Sequence, residues 1–148
     1  MWLMEKKHYL CGGNNDIGKM RNVWPFVKRY KLSLTVLAVI LFLSFFKPPH
    51  TELDEITNFD KMVHFGMYFV FGSVIWIEYL RSHARADGLR LAVGAVLLPI
   101  VLSGGIELGQ EYLTAYRGGD WWDFASNSTG VLAAAVVGYL FLRRRRRG

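Results

Sequence analysis

The chain holds one cysteine, Cys11, in 148 residues, so no internal disulfide can form. No hydrophobic stretch precedes Leu10-Cys11, which excludes a lipoprotein signal at that cysteine. There is no G-x-S-x-G and no H-E-x-x-H, so neither a nucleophile elbow nor a helical zinc-protease site is written in the chain. Charge is also missing from long stretches. From Tyr30 to Phe46 none follows Lys31, and Met62 to Leu80 carries only His64 and Glu78. Leu89 to Leu108 has Arg90 at its start and Glu107 at its end, and Ala125 to Leu142 has no charge at all. The polar face of a soluble amphipathic helix is therefore absent. The first run ends in Phe45-Phe46-Lys47-Pro48-Pro49 without a small-residue cleavage site, so it reads as an anchor, not a removed signal.

What is there is apolar sequence in blocks. Apolar residues at 52% and a mean hydropathy of +0.19 are close to soluble averages, so distribution decides rather than amount. Each run is 17 to 20 residues, which as a helix covers roughly 25–30 Å, about one hydrocarbon core. The pattern predicts an all-α integral membrane bundle of about four transmembrane helices over residues 30–142. A basic tail, 1–29, precedes it, and an Arg-rich tail, 143–148, follows. Met20-Arg21 offers an alternative start to Met1, residues 1–19 being either an extended start or a tail.

Basic residues give the orientation. Fifteen of the eighteen Lys and Arg lie before the first run, between the second and third, or after the fourth. The other two loops share Lys47, Lys61 and Arg117 and hold seven of the twelve acids. The positive-inside bias predicts both termini and the Arg81–Arg90 loop in the cytoplasm. Trp24, Tyr30, Trp76 and Tyr79 then form an inner aromatic belt, and Phe59, Tyr112, Tyr116, Trp121 and Trp122 an outer one. The pI near 9.6 is in this reading a topology signal, with attraction to anionic headgroups secondary. Arg143 to Arg147, directly after an apolar run, read as a stop-transfer anchor, and no nucleic-acid partner is expected.

Polar residues gather at the outer ends of three runs. Asp60, Lys61 and His64 open the second, Glu107, Gln110 and Glu111 close the third, and Arg117, Asp120, Asp123 and Asn127 lead into the fourth. Asp60 and His64 are four apart, as are Asp123 and Asn127, so each pair shares a helix face. The Asp123/Asn127 stripe continues through Gly130, Ala134 and Gly138, a small-residue face that lets membrane helices approach closely. His64, Glu107 and Asn127 fall in one layer, where ionisable groups should face inward and pair. The expected pairings are Arg117 with Glu107 or Asp123, and His64 with Asp60 or Glu107. The competing reading makes Asp60 and Asp123 separate helix N-caps and Arg117 a solvated charge.

Taken together, D-K-x-x-H at Asp60, E-x-x-Q at Glu107, and R-x5-D-x3-N-x2-G from Arg117 to Gly130 resemble the VanZ-like family of small bacterial membrane proteins. The resemblance covers roughly residues 30 to 142. It implies a multi-pass protein of the bacterial cytoplasmic membrane, in a cell-envelope setting linked to resistance against the glycopeptide teicoplanin. It supplies no reaction, and Glu111 and Asp120 have no counterpart in the pattern.

Three readings of the cluster remain open. It is a pocket for a lipid-linked or lipid-tailed envelope molecule. Or it is an envelope enzyme, with Asp60, His64, Glu107 and Asp123 as acid, base or metal ligands. Or it belongs to an accessory subunit in which the polar layer only specifies helix pairing, with homo-oligomers through the small-residue face. No metal or cofactor is expected, since Arg117 would compete with a cation. Pro99 and Gly104-Gly105 predict a kink or partial unwinding just before Glu107. Asp60/His64 and Asp123/Asn127 also echo one another, as two hairpins of a parallel repeat would.

Overall fold

A computed structural model describes residues 23–46, 59–114 and 119–145. Arg117, most of the 1–29 tail and the last three residues of the 143–148 tail lie outside them. Among the described residues every regular element is helical: α1 (Val23–Arg29), α2 (Lys31–Phe45), α3 (Phe59–Ser82), α4 (Gly88–Leu113) and α5 (Trp121–Arg145). The helices α3, α4 and α5, of 24, 26 and 25 residues, are long and apolar enough to cross a membrane. α3 and α5 overrun their apolar runs at both ends with polar or aromatic residues, and α4 does so at its C-terminal end. The expected first span, α2, is apolar but has only 15 residues, about 22 Å of helix.

Large apolar side chains such as Phe42, Val101, Val136 and Phe141 stand exposed along the outside of the bundle. Water would penalise such a surface, whereas acyl chains do not. The interior is built from Ile40, Tyr68, Phe71, Ile106 and Val131 in one cluster and Trp76, Tyr79, Leu80, Leu91 and Ala95 in another.

The closest packing is between α3 and α5, which run parallel. A Cβ on Gly130 would fall against the Phe65 carbonyl and the Phe69 amide, and one on Gly138 would meet the Trp76 ring. Between them, Ala134 faces Gly72, where an added Cβ would stand 2.9 Å from the Ala134 methyl. Gly130, Ala134 and Gly138 are thus the face on which α5 rests against α3, on its backbone at Gly130 and on the Trp76 ring at Gly138, a small-residue contact.

Two side chains clamp α2. The Glu78 carboxylate, 5% exposed, accepts from the Leu32 and Ser33 amides at 2.9 and 3.0 Å and from Ser33 Oγ at 2.6 Å. It thereby satisfies N–H groups that a helix start leaves without partners. At the other end, Gln110 Nε2 donates to the Ser44 carbonyl at 2.7 Å.

The irregularity expected just before Glu107 lies elsewhere. The chain is helical through Gly104-Gly105, and the break in regularity is a π turn at Val93–Leu97, closed by the Leu98 amide on the Val93 carbonyl. Pro99 lacks an N–H for the preceding turn, and widening that turn removes the need for one.

Candidate functional site

The polar layer is assembled by the parallel contact of α3 with α5 and the antiparallel approach of α4. Because Gly130 lets α5 approach α3 closely, His64 and Asn127 come within reach: His64 Nδ1 and Asn127 Oδ1 are 3.1 Å apart. Asn127 Nδ2 donates to Glu107 Oε1, also at 3.1 Å. That donation fixes the amide, because the opposite orientation would set its oxygen against a carboxylate. Asn127 Oδ1 then accepts, so His64 Nδ1 carries a proton. The other ring nitrogen, Nε2, faces Asp123 Oδ2 at 3.5 Å and Asp60 Oδ1 at 3.7 Å. His64, Asn127, Asp123 and Glu107 are all buried, at 7% exposure or less.

The cation of the cluster, among the described residues, is Lys61. Its Nζ lies 3.3 Å from Asp120 Oδ2 and 3.6 Å from Asp123 Oδ1. The expected partner, Arg117, falls outside the described residues. Asp60, His64, Glu107, Asp123, Asn127 and Lys61 therefore share one network. Gln110 does not join it, being turned to the Ser44 carbonyl.

Helix capping falls to a residue that the spacing alone left unassigned. The Trp122 amide donates to Asp120 Oδ1 at 2.8 Å, and the Asp123 and Phe124 amides donate to the Asp120 carbonyl. Asp120 is thus the cap of α5, and Asp123 lies in the first turn, aimed at His64 and Lys61. The Trp122 amide, followed by Lys61, holds the Asp120 carboxyl below its ordinary value. Asp60 likewise lies inside the first turn of α3. Capping therefore does not account for Asp123.

Glu107 links this network to a cavity of about 330 Å³ between α4 and α5. Its walls carry the carboxylates of Glu107, Glu111 and Asp120 beside the rings of Tyr112, Trp121 and Phe124. Glu111 Oε2 accepts from the Gly119 amide at 2.7 Å and Glu107 Oε2 from the Asp120 amide at 3.4 Å, which ties the connection into α5 to the cavity rim. Trp121 and Tyr112 are largely exposed.

One atom each from Asp60, His64 and Asp123 lies within 4.8 Å of the others, in reach of a common cation. The Lys61 ammonium already supplies positive charge to that face, 3.6 Å from Asp123. An added divalent ion would have to displace it.

Sequence reasoning had passed over Glu78 and Ser33, Asp120 as a cap, and the Glu111 contact. A lone acid two residues before the end of an apolar run was the available signal for Glu78. For Asp120 it was an acid directly ahead of the aromatic pair that starts α5. No family model matches the chain, and neither does any curated protein or solved structure.

Proposed function

We propose that the chain is a VanZ-like envelope protein of the bacterial cytoplasmic membrane, crossing it four times with both termini inside. In this reading α2 is the first span, and the Asp60/Asp123 end faces outward. There the protein binds the polar head of a lipid-tailed or lipid-linked envelope molecule. The observation that carries this is the 330 Å³ cavity, where three carboxylates stand beside three aromatic rings. Carboxylates accept from hydroxyl and ammonium groups, and rings cover the apolar faces of sugars or cations. The spacings D-K-x-x-H, E-x-x-Q and R-x5-D-x3-N-x2-G support the family, and the basic residues support the orientation.

Binding is favoured over catalysis by the position of His64. Both of its ring nitrogens are turned toward protein side chains and the residue is buried. It orients Asn127, and through it Glu107, rather than meeting a substrate.

The test is to purify the full chain in mild detergent and identify co-purifying molecules by mass spectrometry. In parallel, glycopeptide susceptibility is measured in a sensitive host expressing the chain or its Glu107→Gln variant. A retained lipid-linked glycan, or protection lost with Glu107→Gln, supports the reading. An empty protein that leaves susceptibility unchanged overturns it.

A further inference from the structure

At the opposite end of the bundle from Glu107 lies a second opening. The parallel helices α2 and α4 meet where Gln110 holds Ser44 and where a Cβ on Gly109 would touch the Phe45 ring. Toward their other ends a cavity of about 420 Å³ lies between them, floored by α3. Its walls are mostly apolar, with Leu37 from α2, Ile75 from α3 and Leu98 from α4. The π turn borders it through Gly94 and Ala95. Such turns interrupt a helix and recur at binding sites.

The rim is cationic and comes from separate elements: Arg29 ends α1, and Arg90 lies in the first turn of α4. Arg90 has one carboxylate near it, Asp87 Oδ2 at 3.3 Å, in a pair exposed on both sides. That pair is weak and leaves guanidinium donors free. The depth of the rim is marked independently by α1. Its Trp24 and Phe26 are exposed, and Lys28 lies 5.2 Å from the centre of the Trp24 ring. Aromatic and basic residues mixed on a short helix belong at headgroup level.

We propose that this slot binds an anionic phospholipid, one acyl chain lying between α2 and α4 and the phosphate held between Arg29 and Arg90. Guanidinium groups match phosphate oxygens in geometry and charge, and the walls below are mostly apolar, with Ser33 and Tyr79 among them. The site is separate from the Glu107 cavity and does not depend on what that cavity binds.

Native mass spectrometry of the full chain in detergent, titrated with phosphatidylglycerol or phosphatidylcholine of identical chains, tests it. Phosphatidylglycerol should be retained in preference. Each interfacial arginine is worth roughly fivefold, so R29Q/R90Q should lower its retention by about 25-fold. Phosphatidylcholine retention should change little, and so should melting in lipid-free detergent. R143Q/R144Q, which alters the exposed end of α5 instead, should leave phosphatidylglycerol retention intact. Leu98→Trp, which fills the slot, should reduce both lipids. Equal retention by R29Q/R90Q overturns the proposal, and so does an equal loss in R143Q/R144Q, which would mean general attraction to basic charge. A shift to dimer on delipidation, reversed by Leu98→Trp, would assign the slot to a second copy and overturn it as well.

Discussion

His64 and Asn127, one on each of two parallel helices, stand 63 positions apart in the chain and are joined at 3.1 Å. Both are buried, and Asn127 passes the contact on to Glu107. Removing either leaves a buried polar group without its partner, which costs roughly 1–3 kcal/mol. His64→Ala and Asn127→Ala should each lower the melting temperature in detergent, and the double variant should lose less than the sum. Coupling below about 0.5 kcal/mol would mean the two act separately.

The offset of 63 also shows how much of the site was legible. Asp60/His64 and Asp123/Asn127 match in spacing, and the fold sets His64 directly against Asn127. The apolar runs gave α3, α4 and α5, because lipid-facing residues need no polar stripe. The layer of His64, Glu107 and Asn127 was legible for the converse reason, that polar atoms are costly at that depth. Spacing gave His64 its approach to Asp60 and Glu107, at 3.7 and 4.0 Å, but not the choice of the other partners. Lys61 stands beside Asp120 and Asp123, Gln110 turns to α2, and Asp120 takes the cap from Asp123. Each depends on how far helices slide along one another, which a periodicity does not record.

Gly130 and Gly66 make a matched pair for packing. A Cβ on Gly130 would press on backbone atoms of α3, whereas at Gly66 nothing lies within 4 Å. Gly130→Ala should destabilise by about 1–3 kcal/mol. Gly66→Ala should be neutral or slightly stabilising, since alanine is the better helix former. Equal melting of the two variants would contradict the close α3–α5 contact.

Glu78 should matter to the start of α2. Glu78→Gln keeps one acceptor oxygen where the amides of Leu32 and Ser33 and the Ser33 hydroxyl now use two, a loss of roughly 1–3 kcal/mol. Ser33→Ala removes a single donor and should cost about 1 kcal/mol. Hydrogen exchange should show the α2 amides opening first in Glu78→Gln and staying protected in Ser33→Ala.

Asp120 links stability to acid. Its carboxyl is held below the ordinary value of 3.8 by the Trp122 amide and Lys61. A group lowered in the folded state stabilises above its unfolded value and loses that contribution as pH falls through the folded one. Melting of the unaltered chain should therefore approach that of Asp120→Asn as pH drops from about 6 to about 3. A gap that persists at the acid end would point to the cap geometry instead of the charge.

Orientation can be read from cells. With Cys11 replaced by serine, single cysteines at Thr51 and Gly118 should react with a membrane-impermeant maleimide, and one at Ser82 should not. Labelling at Ser82 alone would invert the proposed topology and turn the Glu107 cavity to the cytoplasm.

The parallel course of α3 and α5 has an electrostatic consequence. Two helix dipoles side by side and pointing the same way repel, with partial positive charge gathered at both N-termini and negative at both C-termini. In a medium without water that repulsion is poorly screened. The charges on these helices are placed to cancel it. Asp60 and Asp123 sit in the two first turns, and Arg81 and Arg143 to Arg145 in the two last. One of them, Arg145, donates directly to the Leu80 carbonyl at 3.3 Å, so the tail of α5 neutralises the end of α3. The same arginines that would hold the ends on one side of the bilayer also let two like-oriented rods lie in contact.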